Sequence, residues 1–375
     1  MLEQIGLRNF KAAQDICVRV APMTLLTGLN SSGKSTVLQA LALLRQSTVY
    51  ECISDIVLYG ELVQLGSATD VLTDGAESDS ISVSLVVDGE SWRCSFSADS
   101  TGAVAAVESS PWLPAMFLDD SFHFVQADRI APKTMFSRSH TNSPLAGPFG
   151  GRGEYAIQYL ASQQAADAEV SSIRRFDGSH QAPLFDKVAP TNRLIDQVSG
   201  WLQLLSPGVR VGVDSILGTD EYRLLYDYVG RSGVSESDKK LRPSNVGFGL
   251  TYSLPIVVAC LAAQPGSILL IENPEAHLHP QGQAAMAQLI SRAVCDGVQV
   301  VVETHSDHFL NGLRLAVKNG LLASDKVAVH YFSRDVLTGF VDVQSPAILE
   351  NGRMSGWPKG FFDQWDNAID QLLSD

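Results

Sequence analysis

The sequence predicts an α/β fold with a mixed sheet at its core, and three observations carry that prediction. Gly28-Leu29-Asn30-Ser31-Ser32-Gly33-Lys34-Ser35 reads G-x-x-x-x-G-K-S, a loop that cradles phosphate between a strand and a helix. Ser267-Ile268-Leu269-Leu270-Ile271 is a continuous apolar run, the pattern of a parallel strand buried on both faces. From Phe248 onward strand patterns alternate with helix patterns, which implies a doubly wound sheet with right-handed crossovers.

The chain opens with two short strand patterns, Gln4–Arg8 and Ile16–Val20. Met23–Thr27 is an apolar strand leading into the phosphate loop, and a helix follows from Ser35 to about Gln46. Residues 55–97 are β-rich, with strands at Val57–Tyr59, Ser80–Val87 and Trp92–Phe96. Asp88-Gly89 marks a hairpin turn between the last two. Residues 98–112 and 137–153 read as loops, with a strand at Phe122–Val125 between them. Tyr155 to about Leu205 reads as mostly helical, and 208–228 as paired strands. The polar segment 230–243 is the best linker candidate. Beyond it come a helix at Tyr252–Ala263, the strand at 267–271, a helix at about Pro280–Val294 and a strand at Val298–Val302. A helix at about Asp307–Lys318 and a final strand at Val327–Phe332 complete the series.

Composition narrows the classes of function. The chain has 375 residues, 45% of them hydrophobic, so a sizeable core is expected. A net charge of −14 argues against a broad basic footprint for nucleic acid, although a local groove stays open. Cys17, Cys52, Cys94, Cys260 and Cys295 are scattered and form no C-x-x-C pair, which suits a reducing compartment and offers no zinc site. The longest apolar run, Ile256–Ala263, is too short for a bilayer, and the N-terminus carries no secretory pattern. A cytoplasmic protein with no membrane partner is expected.

The chemistry follows from the phosphate loop. Its glycines let backbone N–H groups face phosphate oxygens, and the helix start adds the positive end of a dipole. Gly28, Leu29, Asn30, Ser31, Ser32, Gly33, Lys34, Ser35 and Thr36 are the candidate nucleotide-binding residues. Lys34 is expected to reach the β- and γ-phosphates of ATP, and the Ser35 hydroxyl to ligate Mg²⁺. A second carboxylate-bearing strand, Ile268–Glu272, ends where ligands sit in such sheets, so Glu272 is the candidate acid for Mg²⁺.

Together these pieces resemble ABC-type ATPases of the OLD, RecF and SMC kind, and most closely a bacterial OLD-like group of AAA ATPases. Glu272-Asn273-Pro274-Glu275-Ala276-His277-Leu278-His279-Pro280 resembles the extended second motif of that class. Val302-Glu303-Thr304-His305-Ser306-Asp307 resembles its switch-histidine motif, and Asn245-Val246-Gly247-Phe248-Gly249-Leu250-Thr251 stands where its signature lies. The stretch Glu350–Phe362 resembles the tail of the OLD-like group. The resemblance covers about residues 1–50 and 243–335. It implies the fold class: a P-loop NTPase of ABC-ATPase head type, with an antiparallel β subdomain and an inserted, mainly helical lobe. It divides the chain into an N-terminal ATPase lobe at 1–155, an insert at 156–243, a C-terminal ATPase lobe at 244–335 and an aromatic tail at 336–375.

The resemblance also implies roles. His305 would sense the γ-phosphate or hold the attacking water. Asn245, Gly247 and Gly249 would contact a nucleotide held by another subunit, making the active unit a head-to-tail homodimer or higher oligomer. The residue after the magnesium acid is ordinarily a second acid; here it is Asn273, whose amide cannot accept a proton from water. Either hydrolysis is slow and the protein is a switch, or Glu275 takes the base role. His277 and His279 lack a third ligand for a metal. Asn9 and Lys11 are guesses for the adenine contacts.

Other features of the class are missing. Residues 50–243 carry no heptad repeat, so the long coiled coil of SMC relatives is not expected, and no Toprim-like acid cluster follows His305. A separate nuclease or toxin effector is the expected partner. Arg129, Lys133, Arg138, Arg152, Arg174, Arg175, Lys187 and Arg193 form a local positive excess that leaves DNA open. Trp357, Phe361, Phe362 and Trp365 make an aromatic tail, either docked on its own core or free for a partner.

Overall fold

A computed structural model describes residues 1–48, 53–99, 102–109, 113–118, 121–139, 145, 147–176, 188–229, 240–358, 360 and 372. Cys52, Lys187, residues 230–239 of the linker candidate, and Phe361, Phe362 and Trp365 of the tail lie outside the described residues. The elements are β1 (Leu2–Phe10), β2 (Ala13–Arg19), β3 (Met23–Gly28), α1 (Lys34–Gln46), β4 (Asp55–Val57), α2 (Ala68–Val71), β5 (Ser80–Val87), β6 (Glu90–Ser97) and β7 (Val104–Ser109). There follow β8 (Phe122–Val125), β9 (Met135–Ser137), α3 (Ala156–Ala165), α4 (Leu194–Leu202), β10 (Val209–Ser215), β11 (Glu221–Tyr228), α5 (Phe248–Ala262), β12 (Ile268–Glu272) and α6 (Pro280–Cys295). The last are β13 (Gln299–Glu303), α7 (Asp307–Lys318), β14 (Val327–Arg334) and β15 (Val341–Gln344). Two compact units are built from these, Met1–Pro114 with Val301–Asp375, and Ala115–Val300, so the boundary falls inside β13.

The first unit holds an antiparallel sheet of order β2-β1-β5-β6-β7-β4. Its strands read as they pair. Ile81, Val83 and Leu85 of β5 stand opposite Phe96, Cys94 and Trp92 of β6, and all six side chains are buried on one face. Asp88 and Gly89 both have positive φ, 50° and 79°, the conformation a two-residue primed turn requires. The expected loop over 98–112 contains β7, which pairs with β6 and β4. Its Val-Ala-Ala-Val start lacks the alternation that marks a strand, and the neighbouring edges recruit it. In the same unit β3 pairs in parallel with β14, and β15 closes that side antiparallel. Here the strand order is β15-β14-β3-β13, and β15 (Val341–Gln344) follows β14 along the chain, so Val327–Phe332 is not the last strand as expected. All six residues of β14 from Val327 to Phe332 are buried, as the run of apolar side chains predicts.

In the second unit β12 pairs in parallel with β8, and the N–H of Gln299 at the start of β13 donates to Ser267 O. A separate sheet of order β10-β11-β9 includes the strand pair expected at 208–228, together with the three-residue β9, whose last residue, Ser137, opens the stretch expected to be a loop. Among the described residues of the 155–205 region the helices named are α3 and α4, and residues 166–176 run in turns and extended backbone, with the Val170 N–H donating to Asn192 O. Helix α5 is largely apolar all round and buried from Leu250 to Leu261 except at half-buried Tyr252, as a helix without a polar face must be. Among the described residues no helix is long and apolar enough to cross a membrane.

Candidate functional site

The phosphate loop leaves β3 at Gly28 and enters α1 at Lys34. Gly28 (φ 140°), Ser31 (φ 60°) and Gly33 (φ 96°) all have positive φ, so the loop curls tightly around its own amides. A Cβ on Gly28 would lie 2.1 Å from Phe332 O of β14, and one on Gly33 would lie 2.7 Å from Val341 Cγ2 of β15, so these two strands leave room for hydrogen only. Lys34 is 3% exposed, and its Nζ donates to Gly28 O at 3.0 Å and Leu29 O at 2.6 Å. The ammonium therefore bridges the mouth of the loop. Ser32 Oγ is buried without a hydrogen-bond partner among the described residues. Helix α1 has no acid in its first turn and has Arg45 in its last, the charge placement its dipole favours for an anion at the N-terminus. These are fit features for a triphosphate. Leu29 is 67% exposed and Asn30 is exposed, both at the loop crest, while Thr36 is buried in α1.

A carboxylate that sequence reasoning quoted without giving it a role enters this unit from β13. Glu303 is 5% exposed and its Oε1 accepts from Ser35 Oγ at 2.8 Å. The N–H of Thr304 donates to Leu26 O, which registers the end of β13 against β3 and sets that distance. His305 follows and is exposed. The cap of α7 is Ser306, whose Oγ accepts from Phe309 N at 2.9 Å, so His305 is not spent on capping. A hydroxyl and a carboxylate are hard oxygen donors that suit Mg²⁺, which takes few protein ligands and completes its shell with phosphate and water. Asn9 and Lys11, the residues guessed for the adenine, both lie in the first unit. Asn9 is buried and its Nδ2 donates to Ser80 O at 3.0 Å, while Lys11 Nζ donates to Gln39 Oε1 at 2.6 Å.

The second unit carries the extended second motif. Glu272 ends β12, and its Oε2 accepts from Ala127 N at 2.8 Å. Arg129 clamps the turn that follows: Nη1 donates to Glu272 O at 2.8 Å and Nη2 to Asn273 O at 2.7 Å. Its guanidinium stacks 4.4 Å from the Tyr252 ring centre, and the Tyr252 hydroxyl donates to Ala127 O. Burial pulls the Arg129 pKa down to about 10, with Tyr252, Glu275 and Glu272 opposing that shift. Asn273 has φ 44°, and its Oδ1 is buried with no hydrogen-bond partner among the described residues. Glu275 is half-buried in the same turn, and His277 repeats the left-handed conformation at φ 62°.

The signature stretch lies against this turn. Gly247 caps α5 with open space around its Cα, and Asn245 is exposed before it. Gly249 is packed so closely that a Cβ would lie 2.5 Å from His277 O. Phe248 and Tyr252 stand 4.5 Å and 4.9 Å from the His277 ring, so His277 belongs to an aromatic cluster. The basic residues of the middle are mostly occupied. Arg129 and Arg174 are buried, Arg174 against Asp296 at 2.7 Å, while Arg152, Arg175 and Arg193 pair with Asp128, Glu169 and Asp167. Lys133 and Arg138 are exposed and lie over the Phe136 and Tyr222 rings.

A protein-family model described as an AAA domain, putative AbiEii toxin, type IV TA system matches residues 23–311. This chain belongs to that AAA family. A second model, described as a protein of unknown function, matches residues 322–372 of the AAA-family chain. A curated relative, the OLD nuclease of Thermus scotoductus, is 21% identical over 405 residues, covering 98% of this chain and 70% of the relative. An SMC head bound to the C-winged helix domain of ScpA superposes with a TM-score of 0.53 at 13% identity, covering 92% of this chain and 98% of that one. An SMC head with an extended coiled coil, bound to the C-terminal domain of ScpA derived from Pyrococcus furiosus, gives a TM-score of 0.51 at 13% identity over 100% and 99%. The fold is that of an SMC-like head, and the AAA-family chain is a P-loop ATPase of the OLD/SMC-like class.

Glu303 carries no expected role in the sequence, and Arg129 reads there as one of a cluster of cations. The signal for Glu303 was present: it ends a buried strand with a carboxylate, the pattern that singled out Glu272. Nothing in the sequence marks Arg129 as buried, because its partners are backbone carbonyls.

Proposed function

We propose that this chain binds ATP and Mg²⁺ at the Gly28–Ser35 loop, hydrolyses ATP slowly, and acts as a nucleotide-driven homodimeric switch. The carrying observation is the loop itself: Lys34 bridges the Gly28 and Leu29 carbonyls, beside a Ser35 hydroxyl held by Glu303. In this reading the loop amides and Lys34 hold the phosphates. Ser35 serves the metal, and His305 meets the γ-phosphate. Gly247 and its neighbours engage the nucleotide of a second copy. Bound Mg²⁺ would neutralise charge on the β- and γ-phosphates. Asn273 in place of a second acid argues for slow turnover, since losing a general base costs about 10²–10⁴-fold in rate.

A role in bacterial defence or DNA maintenance beside a separate effector fits the family description, which includes a putative toxin, and the relative described as a nuclease. The test is equilibrium ATP binding and phosphate release by the purified protein, with Lys34→Ala as the control. Binding and release that vanish in Lys34→Ala support the reading. A wild-type protein that ignores millimolar ATP overturns it. The same Asn273 favours a second reading, a regulatory module that binds ATP with negligible turnover; tight binding without phosphate release selects it. A third reading, a DNA-loading mediator, requires salt-sensitive DNA binding that depends on ATP.

A further inference from the structure

We propose that Glu303 is the positioning residue for the Mg²⁺ ligand Ser35, an inference that rests on the nucleotide-site reading above. A serine hydroxyl has one proton to donate and two lone pairs to offer. To ligate a cation it must present a lone pair, and its proton must then point elsewhere. An ionised carboxylate can only accept, and Glu303 Oε1 lies 2.8 Å from Ser35 Oγ. That bond fixes the hydroxyl rotor with its proton toward β13 and its lone pairs away from it. Serine rotors otherwise turn to suit whichever partner is near, including the phosphate oxygens that compete for the same proton.

The carboxylate is well placed to hold this arrangement. It is almost wholly buried, and the Thr304 N–H to Leu26 O bond anchors its backbone to the strand that leads into the loop. Ser35 is at the other end of the same loop, in the first turn of α1. A change at residue 303 is therefore transmitted to the metal through one hydrogen bond. Removing the partner that orients a metal ligand typically costs about 10–100-fold in metal affinity. In the reading above the loop amides and Lys34, rather than Glu303, hold the nucleotide's phosphates.

The experiment is a fluorescent-ATP titration of wild type, Glu303→Ala, Glu303→Gln and Ser35→Ala, each with EDTA and across a Mg²⁺ series. The thermal midpoint of each variant is recorded alongside. Expected is a 10–100-fold rise in the Mg²⁺ concentration for half-effect in Glu303→Ala, with nucleotide affinity in EDTA unchanged. Glu303→Gln should shift the same way by less, because its amide oxygen still accepts but without charge assistance. In a Ser35→Ala background the Glu303 substitutions should add nothing, a coupling that mere loss of packing does not produce. If Glu303→Ala does not fold, the near-isosteric Glu303→Gln decides. A folded variant with wild-type Mg²⁺ dependence overturns the positioning role and leaves the ATP site standing. A wild-type protein that binds no nucleotide with or without Mg²⁺ overturns both.

Discussion

Asn273 shows how a single residue meets a backbone demand and a chemical one at once. Its φ of 44° lies in the left-handed region, where asparagine is tolerated and most side chains cost about 1–2 kcal/mol. Asn273→Glu would restore the acid ordinarily found there at that cost in strain. If slow turnover stems from the missing base, Asn273→Glu speeds phosphate release while Glu275→Gln leaves it unchanged. Near-total loss in Glu275→Gln would instead place the base two residues on. His330 sets a pH limit of a different kind. Its ring is buried between Ser345 Oγ and Arg19 O, at 2.8 Å and 2.7 Å, and burial lowers its pKa from the ordinary 6.5 despite the bond to Arg19. The unfolded chain then binds a proton that the folded chain resists. The stability from neutral His330 is complete above pH 6.5 and is lost as pH falls below it through the lowered value. Thermal midpoints measured from pH 8 to pH 5 should fall more steeply in wild type than in His330→Gln.

At the scale of elements, the start of α5 and the turn after β12 act as one piece. Gly249 admits His277 O where a methyl group would collide at 2.5 Å, and the rings of Phe248, Tyr252 and His277 close over that approach. Arg129 binds the other side of the same turn through two carbonyls. Backbone, rather than side chain, blocks the space at Gly249, so relief requires helix movement. Gly249→Ala should cost on the order of 2 kcal/mol, read as a lowered denaturation midpoint. Gly247, two residues earlier, faces open space, so Gly247→Ala should cost no more than about 1 kcal/mol, the scale of an N-cap change.

That contrast separates fold from assembly in the whole molecule. If Gly247 meets the nucleotide of a second copy, Gly247→Ala loses ATP-driven dimerisation with a far smaller fall in thermal midpoint than Gly249→Ala. Light scattering with ATP and Mg²⁺ checks this: wild type should double in mass, Lys34→Ala and Gly247→Ala should not. Dimerisation of Gly247→Ala at wild-type strength would remove this residue from the interface. The charge of −14 also bears on assembly, since two like-charged copies repel. Raising ionic strength should therefore strengthen the ATP-dependent dimer while weakening any contact with nucleic acid.

The order of strands and helices around the phosphate loop was legible in the chain, and so was the loop, because both depend on local patterns. An apolar run makes a buried strand, and Gly-x-x-x-x-Gly-Lys-Ser makes its turn wherever a strand and a helix flank it. Strand β7 was not legible, because its weak pattern becomes a strand only between neighbours that need a partner. The burial of Arg129 and Arg174 was equally hidden, whereas Glu303 ends an apolar strand as Glu272 does and was legible as a carboxylate of that kind. Either arginine reads as surface until the fold brings backbone carbonyls or an Asp296 to meet it. Local sequence therefore determined where a nucleotide would be gripped. Tertiary structure alone decided which charges leave water to shape that grip, because the partners that compensate their burial come from distant parts of the chain.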